Sequence, residues 1–185
     1  AVPGDVSDEA QVIGMIKEIV DSFGFVDIVV NNARLHVSGG LLETTLDGWN
    51  KTLAVLLNGA MLCSREAAKV MVEKGRRGCI INILSSQAYQ GSPGNLAYNT
   101  SKGGLLNFTR AAAMDLAYYG IRVVAIGPTI MEHGLYKDRT NEAALPGATE
   151  QSPAVVGGGI PLTEKKDRWR NTMEDYLRGI PLGVF

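Results

Sequence analysis

The sequence predicts an α/β domain built on a doubly wound parallel sheet. Three observations carry that expectation. Short β-branched runs alternate with longer stretches whose apolar residues recur at three- and four-residue steps. The runs lack the apolar–polar alternation of a half-solvated strand, the pattern of strands covered on both faces. The polar residues gather where the runs stop, at Asn31-Asn32-Ala33, Ser85 and Gly127-Pro128-Thr129. Open parallel sheets hold ligands at such carboxyl ends.

Ser7 is a candidate N-cap, with Asp8 and Glu9 in a first turn where the helix dipole favours negative charge. Val12, Ile13, Ile16, Ile19, Val20 and Phe23 continue an amphipathic helix that Gly24 suits as its end. Asp27 to Val30 reads as a buried strand, and 34–46 as loop. From Asp47 to about Val72 the apolar positions Trp49, Leu53, Leu56, Leu57, Ala60 and Cys63 keep helical spacing. A basic turn from Gly75 to Gly78 leads to a strand from Cys79 to Leu84. A helix is expected from about Ala97 to Tyr119, closed by Gly120, and a third strand from Ile121 to Ile126.

The 185 residues are expected to form one domain, with neither an internal repeat nor a linker dividing it. Residues at about 132–175 lose periodicity and contain Gly134, Pro146, Gly147, Pro153 and Gly157-Gly158-Gly159. A segment of this kind reads as a substrate lid or as a solvated insertion. With 45% hydrophobic residues, 20% charged residues and a net charge of −1, the chain offers no electrostatic reason to bind nucleic acid or an anionic membrane. No apolar run approaches the ~18 residues of a membrane span, and no signal peptide opens the chain, so a cytoplasmic setting is expected. Cys63 and Cys79 stand in apolar surroundings and read as reduced thiols. His36 and His133, the only histidines, have no carboxylates placed to complete a metal site, and no metal is expected.

The chemistry-bearing residues converge on one pattern. The run Ile80-Ile81-Asn82-Ile83-Leu84 ends in Ser85-Ser86, and thirteen residues after Ser85 stands Tyr98, with Lys102 four further on. On a helix, Tyr98 and Lys102 share a face with Cβ atoms about 5–6 Å apart. A phenol ordinarily titrates near 10, and an ammonium about 4 Å away contributes roughly 4 kcal/mol at an effective dielectric near 20. A lysine one turn from a tyrosine is therefore a perturbation of the right size for proton exchange near neutral pH.

These residues resemble the short-chain dehydrogenase/reductase family. Asp5-Val6, Asn31-Asn32-Ala33, Ser85, Tyr98-x-x-x-Lys102 and the segment from Pro128 follow in the family's order and spacing. The resemblance implies a Rossmann-like fold, NAD or NADP as cofactor, and interconversion of a small-molecule alcohol with a ketone or aldehyde. It implies Tyr98 as acid/base, Lys102 as the residue that lowers its pKa and holds the nicotinamide ribose, and Ser85 as the hydroxyl that orients the substrate oxygen. Asp5 and Val6 correspond to adenine contacts, Asn32 and Ala33 to residues beside the adenosine ribose and central sheet. Pro128, Thr129, Ile130 and Met131 correspond to the segment passing the nicotinamide. The helices at about 47–73 and 98–118 resemble the pair that builds homodimers and homotetramers, and Leu105, Phe108, Ala112 and Leu116 give the later one an apolar face, which core burial explains as well.

The sequence also departs from the family pattern. The first strand and glycine-rich phosphate turn have no counterpart, and Ile180-Pro181-Leu182-Gly183 stops before a usual final helix and strand, so the domain is expected to be truncated at both ends. Leu56 stands where an asparagine usually supports a proton-relay water, and Asn58, about 200° away on a helix, points elsewhere. Arg34 and Thr129 occupy positions where glycine is usual. These departures motivate a second expectation, a catalytically impaired or non-catalytic member acting by protein interaction. A Ser–Lys hydrolase using Ser85 is disfavoured, because the serine lacks the glycine frame of a nucleophile elbow.

Overall fold

The computed structural model describes residues 1–128. The expected lid, together with Thr129, Ile130, Met131 and His133, lies outside the described residues.

The first helix, α1 (Glu9–Phe23), starts one residue later than Ser7 would place it. Asp8 is its N-cap, its carboxylate accepting from the Gln11 N–H, while Ser7 turns back and donates its hydroxyl to Asp5 at 2.7 Å. Gly24 closes the helix in the left-handed conformation, with φ 83°. Strand β1 (Ile28–Asn31) follows. The stretch expected as one helix is two, α2 (Leu46–Leu53) and α3 (Gly59–Glu73), joined without a break by a π-helical turn at Ala54–Asn58. Strand β2 (Cys79–Ile83), a 3₁₀ turn (Ser86–Ala88), helix α4 (Leu96–Leu116) and strand β3 (Arg122–Ile126) complete the described order.

The three strands pair in parallel in the order β1-β2-β3, with Ile28 opposite Cys79, Asn31 opposite Asn82, and Ile83 opposite Ile126. Two successive crossovers thus run in one direction. Right-handed crossovers without a reversal of direction put their helices on the same face of the sheet. The core obeys this. Ile80 and Val123 pack with Ile16 of α1 and Ala67 and Met71 of α3, and Leu84 packs with Ala60 of α3 and Leu105 of α4.

The other face carries Ile28, Val30, Val124 and Ile126 at 64, 54, 40 and 54% exposure. The expectation that β1 is buried on both faces therefore does not hold among the described residues. Only one face has helices on it there, and no strand pairs with the outer edge of β1. Both cysteines are buried free thiols, as the sequence indicated.

A buried polar network ties the layers together. The Asn31 amide donates to Asn82 Oδ1 at 2.7 Å and to Ser64 Oγ at 2.9 Å, and the Asn82 amide donates to Thr109 Oγ1 at 2.9 Å. Asn82 is fully buried in an otherwise aliphatic strand. Its bonds join β1, β2 and α4, and Asn31 extends them to α3.

Candidate active site

Tyr98 and Lys102 lie one turn apart near the start of α4, as their spacing requires. Lys102 is only 6% exposed, and its ammonium donates to the Ile83 carbonyl at 2.6 Å, two residues before Ser85. The ammonium is 5.7 Å from the centroid of the Tyr98 ring. Burial, and secondarily the charge of Arg34, pulls the Lys102 pKa down to about 8.

Ser85 continues extended from β2, and its Oγ caps the following 3₁₀ turn by accepting from the Gln87 N–H at 3.3 Å. That turn rests on α4 beside Lys102, since a Cβ at Gly103 would stand 3.8 Å from the Ala88 carbonyl. Leu84 N–H donates to the Ile126 carbonyl and Ser86 N–H to the Pro128 carbonyl. The ends of β2 and β3 are thereby laced together, and Pro128 is drawn beside the serine pair.

The segment after β1 reaches the same place by a different route. Gly39 N–H donates to the Gly94 carbonyl at 2.9 Å, and Leu96 N–H donates to the Gly39 carbonyl at 3.0 Å. The loop expected at 34–46 is thus stitched to the N-terminus of α4. His36 approaches Asn95 Oδ1 to 2.6 Å and meets the Tyr98 ring edge-on at 5.5 Å between centroids. The Arg34 guanidinium lies 6.0 Å from the centroid of that ring. From the sequence, Arg34 reads as a departure that either crowds the cofactor or swings outward to bind phosphate, and His36 as a lone histidine. Sequence reasoning missed Asn95, whose sole signal is its place just before the helix that carries Tyr98.

The residues singled out near β1 share one cleft of about 430 Å³, lined among others by Val6, Asn32, Ala33, Leu56 and Lys102. Val6 is set there by Gly59, where a Cβ would come within 2.8 Å of the valine side chain. Asp5 is exposed, and the Ser7 hydroxyl and N–H bonded to its carboxylate hold its pKa below the ordinary value. Asn32 and Ala33 are exposed at the end of β1. Leu56 is 2% exposed in the π turn, and Asn58 points to solvent.

The comparisons with known proteins place the chain in a family. The family model described as short chain dehydrogenase matches residues 1–144. An uncharacterized oxidoreductase of Thermotoga maritima is 39% identical over 139 residues, which are 75% of this chain and 54% of that protein. Among solved structures, NAD+-bound xylitol dehydrogenase is 34% identical with a TM-score of 0.68, over 74% of this chain and 52% of that one. NADP-bound ElxO is 34% identical with a TM-score of 0.69, over 74% and 55%. The chain spans about half the length of these relatives, and it shares their Rossmann fold over that span. The chain belongs to the short chain dehydrogenase family.

Proposed function

We propose that the protein is an oxidoreductase that uses NAD or NADP to interconvert an alcohol and a ketone or aldehyde. The observation that carries this reading is the placement of Tyr98 and Lys102 on one turn of α4, with Lys102 bonded to the strand end that leads into Ser85. In the oxidative direction the Tyr98 oxygen takes the proton of the substrate hydroxyl, and the Ser85 hydroxyl holds the same oxygen in place. A nicotinamide held in the cleft would supply the acceptor for the hydride of the carbinol carbon. In the reductive direction Tyr98 returns the proton to the carbonyl oxygen.

The donor chemistry of the cleft fits the cofactor. Lys102 has three N–H donors and one goes to Ile83, leaving two for ribose hydroxyls. Asn32 presents an exposed amide nearby, and among the described residues nothing is hydrogen-bonded to it. Asp5 and Val6 would lie toward the adenine, Asn32 and Ala33 beside its ribose, and Pro128, Thr129, Ile130 and Met131 past the nicotinamide. The direct test is Tyr98→Phe in the full-length protein. Turnover should fall by roughly 10² or more while cofactor affinity holds; unchanged turnover rejects the assignment.

One observation favours a second reading, a non-catalytic member acting by protein interaction. Leu56 fills its π-turn position with buried hydrocarbon and offers no side-chain hydrogen bond to the cleft. Fluorescence titration with NAD and NADP separates the two, because a cofactor-free interaction protein binds neither.

Copies are proposed to associate through the outer faces of α3 and α4. A groove of about 590 Å³ there is lined by Met61, Ala68, Val72, Phe108, Leu116 and Tyr119. Of the apolar residues on the later helix, Leu105 packs in the core at 1% exposure, the alternative that core burial offered.

A further inference from the structure

Two cations flank Tyr98. Lys102 lies 5.7 Å and Arg34 6.0 Å from the centroid of its ring. Their mutual repulsion contributes to the lowered pKa of Lys102. Arg34 is exposed, and among the described residues no carboxylate pairs with it and no hydrogen bond engages its guanidinium. Glu43, on the same loop, is occupied by the Gly40 N–H at 3.0 Å. The loop is fastened to the start of α4 at Gly39, Gly94 and Leu96, and His36 is fastened to Asn95, so the segment that carries Arg34 is held beside Tyr98.

Two like charges held around one phenol are unfavourable until an anion comes between them. A guanidinium presents a planar fork of donors matched to carboxylate or phosphate. We infer that Arg34 receives an anionic group of the substrate, a carboxylate or phosphate a few bonds from the carbon that bears the reacting oxygen. This deepens the oxidoreductase reading and rests on it. The same anion chemistry exists in the cofactor's pyrophosphate, but Arg34 lies 6.0 Å from the ring of Tyr98, the residue that exchanges the substrate proton in the reading above. The substrate is therefore the assigned source, which makes the enzyme selective for hydroxy acids or hydroxy phosphates over neutral alcohols.

The test uses the cofactor-loaded full-length protein and a matched pair of probes, 3-hydroxybutanoate and 3-hydroxybutanamide, with Kd read by calorimetry. The wild type should bind the carboxylate about tenfold or more tightly over the amide, and Arg34→Gln should erase that ratio while NAD(P) affinity is unchanged. Equal binding of the two probes by the wild type, or an unchanged ratio in Arg34→Gln, overturns the inference. So does a loss confined to cofactor affinity, which would assign Arg34 to the pyrophosphate. Because the readout is a binding ratio, it stays separate from the Tyr98→Phe turnover test: a protein that oxidises neutral alcohols without anion preference keeps the oxidoreductase reading and loses only this one.

Discussion

The ammonium of Lys102 donates a 2.6 Å hydrogen bond to the carbonyl of Ile83. The bond pins the lysine at the end of β2 and leaves it 6% exposed. A charge held there is short of solvent, and the consequence can be measured as a pH dependence. In the unfolded chain the lysine keeps its proton up to about 10.5, whereas in the folded protein it releases it near 8. Between these values the unfolded state binds more protons, so this residue makes stability rise with pH across that window, by roughly 3 kcal/mol in all, and adds no slope below it. Urea midpoints measured from about pH 7 to about pH 10 should show a component of positive slope that Lys102→Met lacks. Identical slopes in the two proteins would refute it.

Arg34 supplies the smaller part of that depression, after burial. Arg34→Gln should therefore move the Lys102 titration upward without returning it to the value of a free lysine. The same urea series reports it, as a window that begins at higher pH; a window that stays in place contradicts the coupling.

Asn82 is fully buried between Asn31 and Thr109. Replacing it with leucine deletes both bonds, although Asn31 keeps Ser64 and Thr109 keeps the Leu105 carbonyl. The expected loss is about 1–3 kcal/mol, with an unchanged m-value, in denaturant unfolding. A neutral result would mean that the aliphatic side chain packs well enough to offset the network.

Leu56 lines the cleft beside Lys102 at 2% exposure. Leu56→Asn exchanges buried hydrocarbon for a buried amide, which costs about 1–3 kcal/mol of stability. The amide also places a hydrogen-bonding group in the cleft. Turnover should rise as the melting temperature falls, and a fall in both would show that leucine is serving the site as it stands.

Much of the fold was legible because it depends on local pattern. The aliphatic runs around Val29, Ile81 and Val124 marked three strands, and the three- and four-residue steps marked the helices between them. The N-cap slipped by one because both Ser7 and Asp8 can accept from a helix N–H, and only the bond from Ser7 to Asp5 decides between them. Nothing in Ala54–Asn58 announces a π turn, since the same apolar spacing suits a continuous α-helix. The exposure of one sheet face among the described residues was illegible for a different reason: a strand's burial depends on what packs against it, and an aliphatic run is the same whether or not its cover is present. Asn82 did carry a signal, an amide inside an aliphatic run, which should be read as a request for buried partners.

At the site, the spacing of Tyr98 and Lys102 gave their shared face directly. The approach of Arg34 and His36 to Tyr98 depends on backbone bonds that tie Gly39 to Gly94 and Leu96, more than fifty positions further along the chain. No local pattern encodes such a junction.

The strand order β1-β2-β3 has a consequence for synthesis. Each strand pairs with the one made just before it, so the sheet can lengthen strand by strand as the nascent chain leaves the ribosome. Every addition also widens the wall formed by Ile28, Val30, Val124 and Ile126. Among the described residues that wall has helices on one side only, and an apolar side of this kind is a surface that chaperones hold and that nascent neighbours stick to. The speed with which that side is covered should govern the yield of folded protein more than the strength of the core already formed.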